Sequence, residues 1–278
     1  MIDRKKIEDF IVDQLKYGPQ VIVELIKDIE KVRPNTTKQG VYAALRELKK
    51  QEVVVTHHKR VSLNLKWLNQ QSAYFFAARY NYLSDTGAGD FSRLNQGEKI
   101  AYHFMKPALT DAFWCHVIYI LIEQQKLNGS IFLYNPHSWF FICRAESERA
   151  LRDFINQHHS QYLLTVHGKT PLDRYIISEF DGTSSQYYMS EHSYFLHPNY
   201  YLNIIGDFII EVWINPRIAN EIEKIYHQTK VVDQSAIDKL TSLINSRGRS
   251  RLVISKDRIR AQKLSKKFSR NFYLKAKQ

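Results

Sequence analysis

Cysteine is nearly absent from this sequence. The 278 residues contain only Cys115 and Cys143, which lie far apart and among apolar neighbours. Two distant thiols exclude a small disulfide-rich scaffold, and the cysteines and histidines show no spacing typical of a zinc site. We therefore expect two free, buried thiols in a reducing cytoplasm, and we predict neither a metal ion nor a cofactor.

Long apolar runs are also lacking. The first residues, Met1–Lys6, have no apolar core of the kind found in signal peptides. The longest apolar run, Phe113–Ile122, is about half the length of a membrane span and contains His116. The sequence predicts a cytoplasmic protein without a membrane span, in which this run forms a buried helix.

Complete catalytic motifs are missing as well. The sequence contains neither a G-x-S-x-G nucleophile motif nor a phosphate-binding G-x-x-x-x-G-K-[ST] loop, and Gly87–Asp90 only partly matches a dinucleotide motif. The most enzyme-like pair is Asp207 and Glu211, but Trp213 stands where a metal-dependent nuclease would carry lysine. We interpret the two carboxylates as solvent-facing turn residues and predict no enzymatic activity. A metal-dependent DNA-processing enzyme remains the alternative.

A second polar segment, Asn135–Trp139, lies between two apolar strings. Such a cluster could line a pocket, and a capped turn into the next helix or strand explains it equally well. We favour the turn.

Positive charge, in contrast, is abundant and unevenly distributed. The formal net charge is +12, of which residues 1–67 contribute +5, residues 68–246 contribute −4 and residues 247–278 contribute +11. A weakly acidic middle between two basic ends is typical of a protein that meets a polyanion at its termini.

The first 68 residues read as three helices and a hairpin. Apolar spacing predicts a helix from about Arg4 to Lys16 and a second helix from Pro19 to about Val32. The third helix follows a cap at Asn35 or Thr36, with Val41, Leu45 and Leu48 on its inner face.

The outer face of the third helix carries residues suited to phosphates and base edges. Cations, an amide and a phenol alternate there, and threonines precede them. The candidate DNA-binding residues of this segment are Thr36, Thr37, Lys38, Gln39, Tyr42, Arg46 and Lys49.

A β-hairpin with a basic tip should follow the third helix. Val53–Val55 and Val61–Trp67 are the predicted strands, and the turn residues His57, His58, Lys59 and Arg60 complete the candidate DNA-binding set. Three helices and a hairpin with a basic tip correspond to the winged-helix plan.

The segment Thr37–Leu48 resembles the recognition helix of PadR-like and TrmB-like transcriptional regulators. Its threonine start, Val41-Tyr42, the small pair Ala43-Ala44 and Leu45-x-x-Leu48 carry the resemblance, which covers residues 1–68 only. The resemblance implies a winged-helix fold and DNA binding in a bacterial or archaeal protein. Those families usually place glycine between the third helix and the wing, whereas this sequence has Glu52 near that position.

The remaining sequence predicts a mixed α/β domain. We assign residues 69–109 to a connector rich in aromatic residues and residues 110–278 to an α/β or α+β sensor or dimerisation domain. Gly206-Asp207 suits a two-residue turn between strands 200–205 and 208–214. The predicted helices are 110–126, 146–158, a short one from 172, 216–229, 233–246 and 256–272; the other predicted strands are 130–135, 161–166, 186–190 and 251–255.

The last predicted helix carries a basic stripe. Ser255 could cap it, and an apolar stripe (Ala261, Leu264, Phe268 and Phe272) should dock it on the domain. A solvated face and a phosphate-binding surface are both compatible with this charge. The possible phosphate-binding residues are Arg247, Arg249, Lys256, Arg260, Lys263, Lys267 and Arg270.

Together, these patterns predict a homodimeric, DNA-binding transcription regulator, with repression as the expected activity. It would bind double-stranded DNA and respond to a small-molecule or protein effector. An antitoxin-type repressor, whose C-terminal domain binds a partner protein, is the other alternative.

Overall fold

The chain forms two compact units, which follow one another along the sequence. The computed structural model describes residues 6–84, 89–125 and 129–274. Unit 1 comprises Met1–Tyr82 and unit 2 comprises Leu83–Gln278. Helices and two sheets make the fold class α+β, as predicted. In the described ranges, every helix is too short or too polar to cross a membrane.

Unit 1 has the winged-helix arrangement that the sequence predicted. Its three strands lie in the order β1-β3-β2, and both pairings are antiparallel. The elements are α1 (Ile7–Leu15), β1 (Gln20–Val21), α2 (Ile22–Val32), α3 (Lys38–Lys50), β2 (Val54–His57), β3 (Arg60–Leu63) and α4 (Leu65–Leu83).

The core of unit 1 is made by the apolar faces of its first three helices. Ile11 of α1, Leu25 and Ile29 of α2, and Val41 and Leu45 of α3 are all buried in one cluster. Their i, i+3 and i+4 spacing puts the apolar side chains of each helix on one face. The predicted inner face of α3 is thereby confirmed.

Two boundaries in unit 1 differ from the prediction. The second helix begins at Ile22 instead of Pro19, because Gln20 and Val21 pair with Val61 and Arg60 of the wing. The second wing strand ends at Leu63, and Trp67 lies in α4, where it packs on the core of unit 1.

The predicted connector, residues 69–109, contains regular structure. α4 continues through it to Leu83, and β4 (Lys99–Phe104) joins the sheet of unit 2. The alternation of exposed and half-buried residues in β4 is a strand pattern that the sequence reading missed. Gly87 and Ala88 lie outside the described residues.

Unit 2 is built on a seven-stranded mixed sheet in the order β4-β10-β9-β8-β5-β6-β7. Only β5, β6 and β7 pair in parallel, whereas the other neighbours are antiparallel. Its strands after β4 are β5 (Ser130–Asn135), β6 (Gln161–His167), β7 (Ser185–Ser190), β8 (Tyr200–Ile205), β9 (Phe208–Trp213) and β10 (Ser250–Lys256).

Helices cover both faces of this sheet. The larger apolar cluster lies under α5 (Pro107–Gln125), α6 (Trp139–Cys143), α7 (Ala145–Gln157), α9 (Pro216–Gln228) and α10 (Gln234–Leu243). The opposite face packs against α11 (Arg258–Ser269), and short α8 (Pro171–Tyr175) connects β6 to β7. The predicted hairpin is confirmed, with Ile205 opposite Phe208 and Gly206 in the left-handed region at φ 57°. The apolar run 113–122 lies inside α5, as predicted.

The missing glycine before the wing leaves a bulky residue in a left-handed conformation. Glu52 has φ 57°, which brings its Cβ into steric conflict with the backbone. Among the described residues, its carboxylate forms one ion pair, with the exposed Lys66 ammonium at 2.6 Å. An exposed pair of this kind contributes little to stability.

We expect Glu52→Gly to stabilise unit 1 and raise its unfolding midpoint by a few degrees in calorimetry of the full chain. Glycine removes the Cβ conflict, and only a weak exposed ion pair is lost. Glu52→Ala is the matched control, since it loses the same ion pair but keeps a Cβ. Equal midpoints for the two variants would show that the left-handed backbone is not strained here.

Candidate nucleic-acid interface

The candidate interface of unit 1 is the outward face of α3. The Thr37 hydroxyl oxygen accepts a hydrogen bond from the Gly40 amide at 3.1 Å and caps the helix. Burial of the inner face then directs the polar face away from the core. The exposed side chains on that face are Lys38, Gln39, Tyr42, Arg46 and Lys49.

The two threonines before α3 do not have the predicted role. Thr36 is 7% exposed, so its side chain is not available for the DNA contact that the sequence predicted. The Thr37 side chain is exposed, but its hydroxyl is already used as the helix cap. The helix cap therefore lies one residue later than expected, and the candidate face begins at Lys38.

The basic residues of the wing lie at its tip and at its base. His58 and Lys59 form the tip, both with positive φ, as a two-residue turn between paired strands requires. Arg60 lies at the base, where its guanidinium donates to the Pro19 carbonyl at 3.3 Å and its backbone pairs with Val21. All four residues of the predicted tip, His57 to Arg60, are exposed.

The basic stripe predicted near the C terminus is not one continuous row of exposed cations. Lys256 lies in β10, because Asp257 rather than Ser255 caps α11. Lys267 lies 4.7 Å from the centre of the Tyr194 ring. Arg247, Arg249, Lys263 and Arg270 are exposed. The apolar stripe is confirmed, since Ala261 and Phe268 are buried and Leu264 and Phe272 pack beside them.

Arg260 of the same stripe is bound to a buried carboxylate. Its guanidinium donates to both oxygens of Glu211, at 2.9 and 2.6 Å, and the Tyr200 hydroxyl donates to the same carboxylate at 2.8 Å. Burial opposes ionisation of Glu211, but these hydrogen bonds lower its pKa below the usual value. Glu211 is 9% exposed, so its interpretation as a solvent-facing carboxylate was wrong.

The polar segment Asn135–Trp139 is buried at the end of β5. The Trp139 indole donates to the Tyr201 hydroxyl at 3.0 Å. The His137 ring stacks on Tyr226, with 3.9 Å between ring centres. The predicted turn is confirmed, because the segment connects β5 to α6 and its side chains lie in the core.

His137 lies between two carboxylates that come from distant parts of the chain. Its Nδ1 is 2.9 Å from Asp173 Oδ1, and its Nε2 is 3.2 Å from Glu223 Oε1. Burial favours the neutral imidazole, but the hydrogen bonds and charges of Asp173 and Glu223 outweigh burial and raise the pKa of His137 to about 9. Because both ring nitrogens are used and the side chain is closed off, this arrangement stabilises the core and leaves no room for a substrate.

A second buried cluster lies between α5, α7 and the sheet. Asp111 and Cys115 are one turn apart on α5, and Glu148 of α7 faces them. Within residues 6–84, 89–125 and 129–274 this is the one group of three or more side chains arranged to hold a metal ion, and it contains neither Asp207 nor Glu211. The i, i+4 spacing of Asp111 and Cys115 was visible in the sequence, but Glu148 was not recognisable as its third member.

No protein-family model matches this chain, and no curated protein matches it. Solved structures with partial similarity include the following two. TrmBL2, an archaeal chromatin protein described as showing a novel mode of DNA binding, is 10% identical with a TM-score of 0.34, over 95% of this chain and 90% of its own. NucT from Helicobacter pylori is 12% identical with a TM-score of 0.35, over 63% of this chain and 96% of its own.

The His137 cluster predicts a loss of stability at alkaline pH. A histidine with a raised folded-state pKa stabilises fully below its unfolded pKa of 6.5, and this contribution disappears as the pH rises through about 9. We expect the free energy of unfolding to fall by about 3 kcal/mol across this window. Denaturant titrations at pH 6 and pH 9.5 measure it.

In His137→Gln the alkaline decrease should become smaller by about 3 kcal/mol, and the part that remains comes from other buried groups with a raised pKa, such as Glu148. His227→Gln is the matched control, because His227 is exposed and lies 3.5 Å from the same Glu223 carboxylate. An alkaline decrease in His137→Gln as large as that of the parent, or one that shrinks equally in the control, would contradict the assignment.

Proposed function

We propose that this chain is a sequence-specific regulator of transcription that binds double-stranded DNA through α3 and the wing. The observation that carries the proposal is the exposed face of α3, on which cations and hydrogen-bonding side chains project from a helix whose other face is buried. A helix of this kind fits the major groove of a duplex. The resemblance of residues 37–48 to PadR-like and TrmB-like regulators supports the same proposal.

The side chains of this face have distinct roles in the proposal. Arg46 and Gln39 have the geometry for paired hydrogen bonds to guanine and adenine, respectively. Lys38 and Lys49 supply point charges for phosphates, and Tyr42 can contact either a base edge or the backbone. Specific reading and general affinity therefore come from the same helix.

The wing tip is assigned to phosphates or a neighbouring groove. His58 and Lys59 are held away from the core by the hairpin, whereas Arg60 is anchored to β1. The tip therefore presents the positive charge of Lys59 to a phosphate.

Unit 2 is assigned to effector binding or dimerisation, and α4 of unit 1 offers a further surface for association. A single winged helix contacts few base pairs, so two copies would bind an operator with twofold symmetry. Among the described residues, α4 buries no side chain and exposes Tyr74, Phe75, Phe76, Tyr80 and Tyr82, which supports association with another protein surface. We propose no catalytic role for residues 110–246, since Glu211 is already bound to Arg260.

The C-terminal cations have a smaller role than their number suggests. Arg260 neutralises Glu211, which leaves Lys263 and Arg270 as exposed candidates on and beside α11, with Arg247 and Arg249 before β10. We assign these four to phosphate contacts without sequence selectivity.

Replacing Lys38 and Arg46 together by alanine should weaken binding to operator DNA while the fold is kept. Loss of one base-edge contact costs about 1–3 kcal/mol, and loss of a phosphate contact lowers the salt dependence by about one unit of log–log slope. Arg217→Ala/Lys224→Ala is the matched control, because it removes two exposed cations from α9. Operator DNA selected from a random pool serves as the ligand in a salt titration. Equal affinity of both variants would contradict the role of α3.

A second variant separates wing charge from wing folding. His58→Asn/Lys59→Gly removes the tip charge and installs residues that tolerate positive φ. We expect equal or higher thermal stability together with weaker DNA binding, the decrease being similar for operator and random sequence. Lys59→Arg keeps the charge and should bind like the parent. Unchanged affinity in the Asn-Gly variant would exclude a DNA contact by the tip.

A further inference from the structure

Unit 2 contains a small cavity that the proposed function does not use. The cavity has a volume of about 20 Å³, and apolar side chains line it together with the polar groups of Asp111, Trp114, Cys115, Asn135, Glu148 and Asn203. A space of this size holds one water molecule or one ion and excludes any organic ligand.

Polar groups around this cavity lack partners. Asn203 is 0% exposed, and within the described parts of the chain neither its amide oxygen nor its amide nitrogen has a hydrogen-bond partner. Within the same described parts, the Trp114 indole nitrogen is also buried without a hydrogen-bond partner. An unpaired buried amide is costly, which indicates that something else fills the space between these groups.

The ionisable groups around the cavity also outnumber their cationic partners among the described residues. Asp111 Oδ2 lies 2.8 Å from Arg144 Nε, so one carboxylate has a counter-ion. Among the described residues, Arg144 is the one cation that forms an ion pair with this cluster. Asp111, Cys115 and Glu148, in contrast, can all ionise to anions.

A divalent cation would balance this cluster. Two carboxylates and one thiolate carry three negative charges, which Arg144 and one divalent ion neutralise together. The three ligand atoms lie within 4.8 Å of one another, somewhat wider than the spacing around Zn²⁺ bound at about 2.0–2.3 Å, so modest side-chain rotations would close the site. A thiolate with oxygen ligands selects a borderline-soft metal over Mg²⁺ or Ca²⁺.

We propose that Asp111, Cys115 and Glu148 bind one Zn²⁺ ion inside unit 2, with the Asn203 amide oxygen or a water molecule at the fourth position. The ion links α5, α7 and β8 and is structural, since the cavity is too small to admit a substrate. Binding releases the protons of Cys115 and Glu148 to solvent as the ligands ionise. The proposal is independent of DNA binding.

Co²⁺ provides the test, because a thiolate ligand gives it a near-ultraviolet charge-transfer band that oxygen and imidazole ligands do not give. The full chain is stripped with a chelator, titrated with Co²⁺ and then challenged with Zn²⁺. We expect the band to saturate at one Co²⁺ per chain, to disappear when Zn²⁺ displaces Co²⁺, and to accompany a higher unfolding midpoint.

Variants identify the ligands. Cys115→Ala should abolish the band, whereas Cys143→Ala, which removes the other free thiol, should keep it. Glu148→Gln is almost isosteric and should weaken Co²⁺ binding by about ten-fold or more, and circular dichroism confirms that each variant is folded. The proposal is overturned if the parent binds no Co²⁺, binds it without the charge-transfer band, or keeps the band in Cys115→Ala.

Discussion

Burial of one face of α3 is the constraint on which the proposed interface depends. Val41, Leu45 and Leu48 are in contact with the core of unit 1, so the helix cannot rotate about its axis without exposing them. The polar face is fixed by exclusion: residues that cannot be buried must point outward. Thr37 caps the N terminus of the helix, so Lys38 and Gln39 begin that face. Burial of the apolar face of α3 therefore fixes the direction in which the charged side chains of the opposite face point.

Unit 2 is governed by a different requirement, the compensation of buried charge. Glu211 is neutralised by Arg260 and Tyr200, and His137 is held between Asp173 and Glu223. In both cases the partners come from separate elements, so each pair also connects those elements. The cluster around Asp111 departs from this pattern, because three ionisable side chains and the unpartnered Asn203 amide surround one cavity, and that arrangement is why we assign a metal ion to it.

Exposed charge and bound charge look the same in a sequence. The spacing of Lys256, Arg260, Lys263, Lys267 and Arg270 indicated one basic stripe, yet the structure gives these residues unlike environments. Arg260 is the counter-ion of the buried Glu211 carboxylate, Lys267 lies over an aromatic ring and Lys256 belongs to a strand. A count of cations therefore overstates the surface available for phosphates.

Local patterns in the sequence determined most of the secondary structure. Helical periodicity predicted α1, α2, α3, α5 and α9 to within a few residues, and Gly206-Asp207 predicted the β8–β9 turn. These features depend on neighbours close in the chain, as does the outward face of α3. The two-residue strand β1 was missed because it exists only through pairing with a distant strand, whereas the edge strand β4 was missed although its residues alternate in the sequence.

The tertiary structure alone decided which polar residues are buried together. Nothing near Glu211 in the sequence indicates Arg260, and nothing near His137 indicates Glu223, since contacts across a sheet leave no local pattern. Thr36 shows the same principle on a small scale: it differs from Thr37 by one position, yet the entry angle of α3 buries one and exposes the other. The sequence by itself determined the faces of helices, whereas chain packing decided the partners of charges.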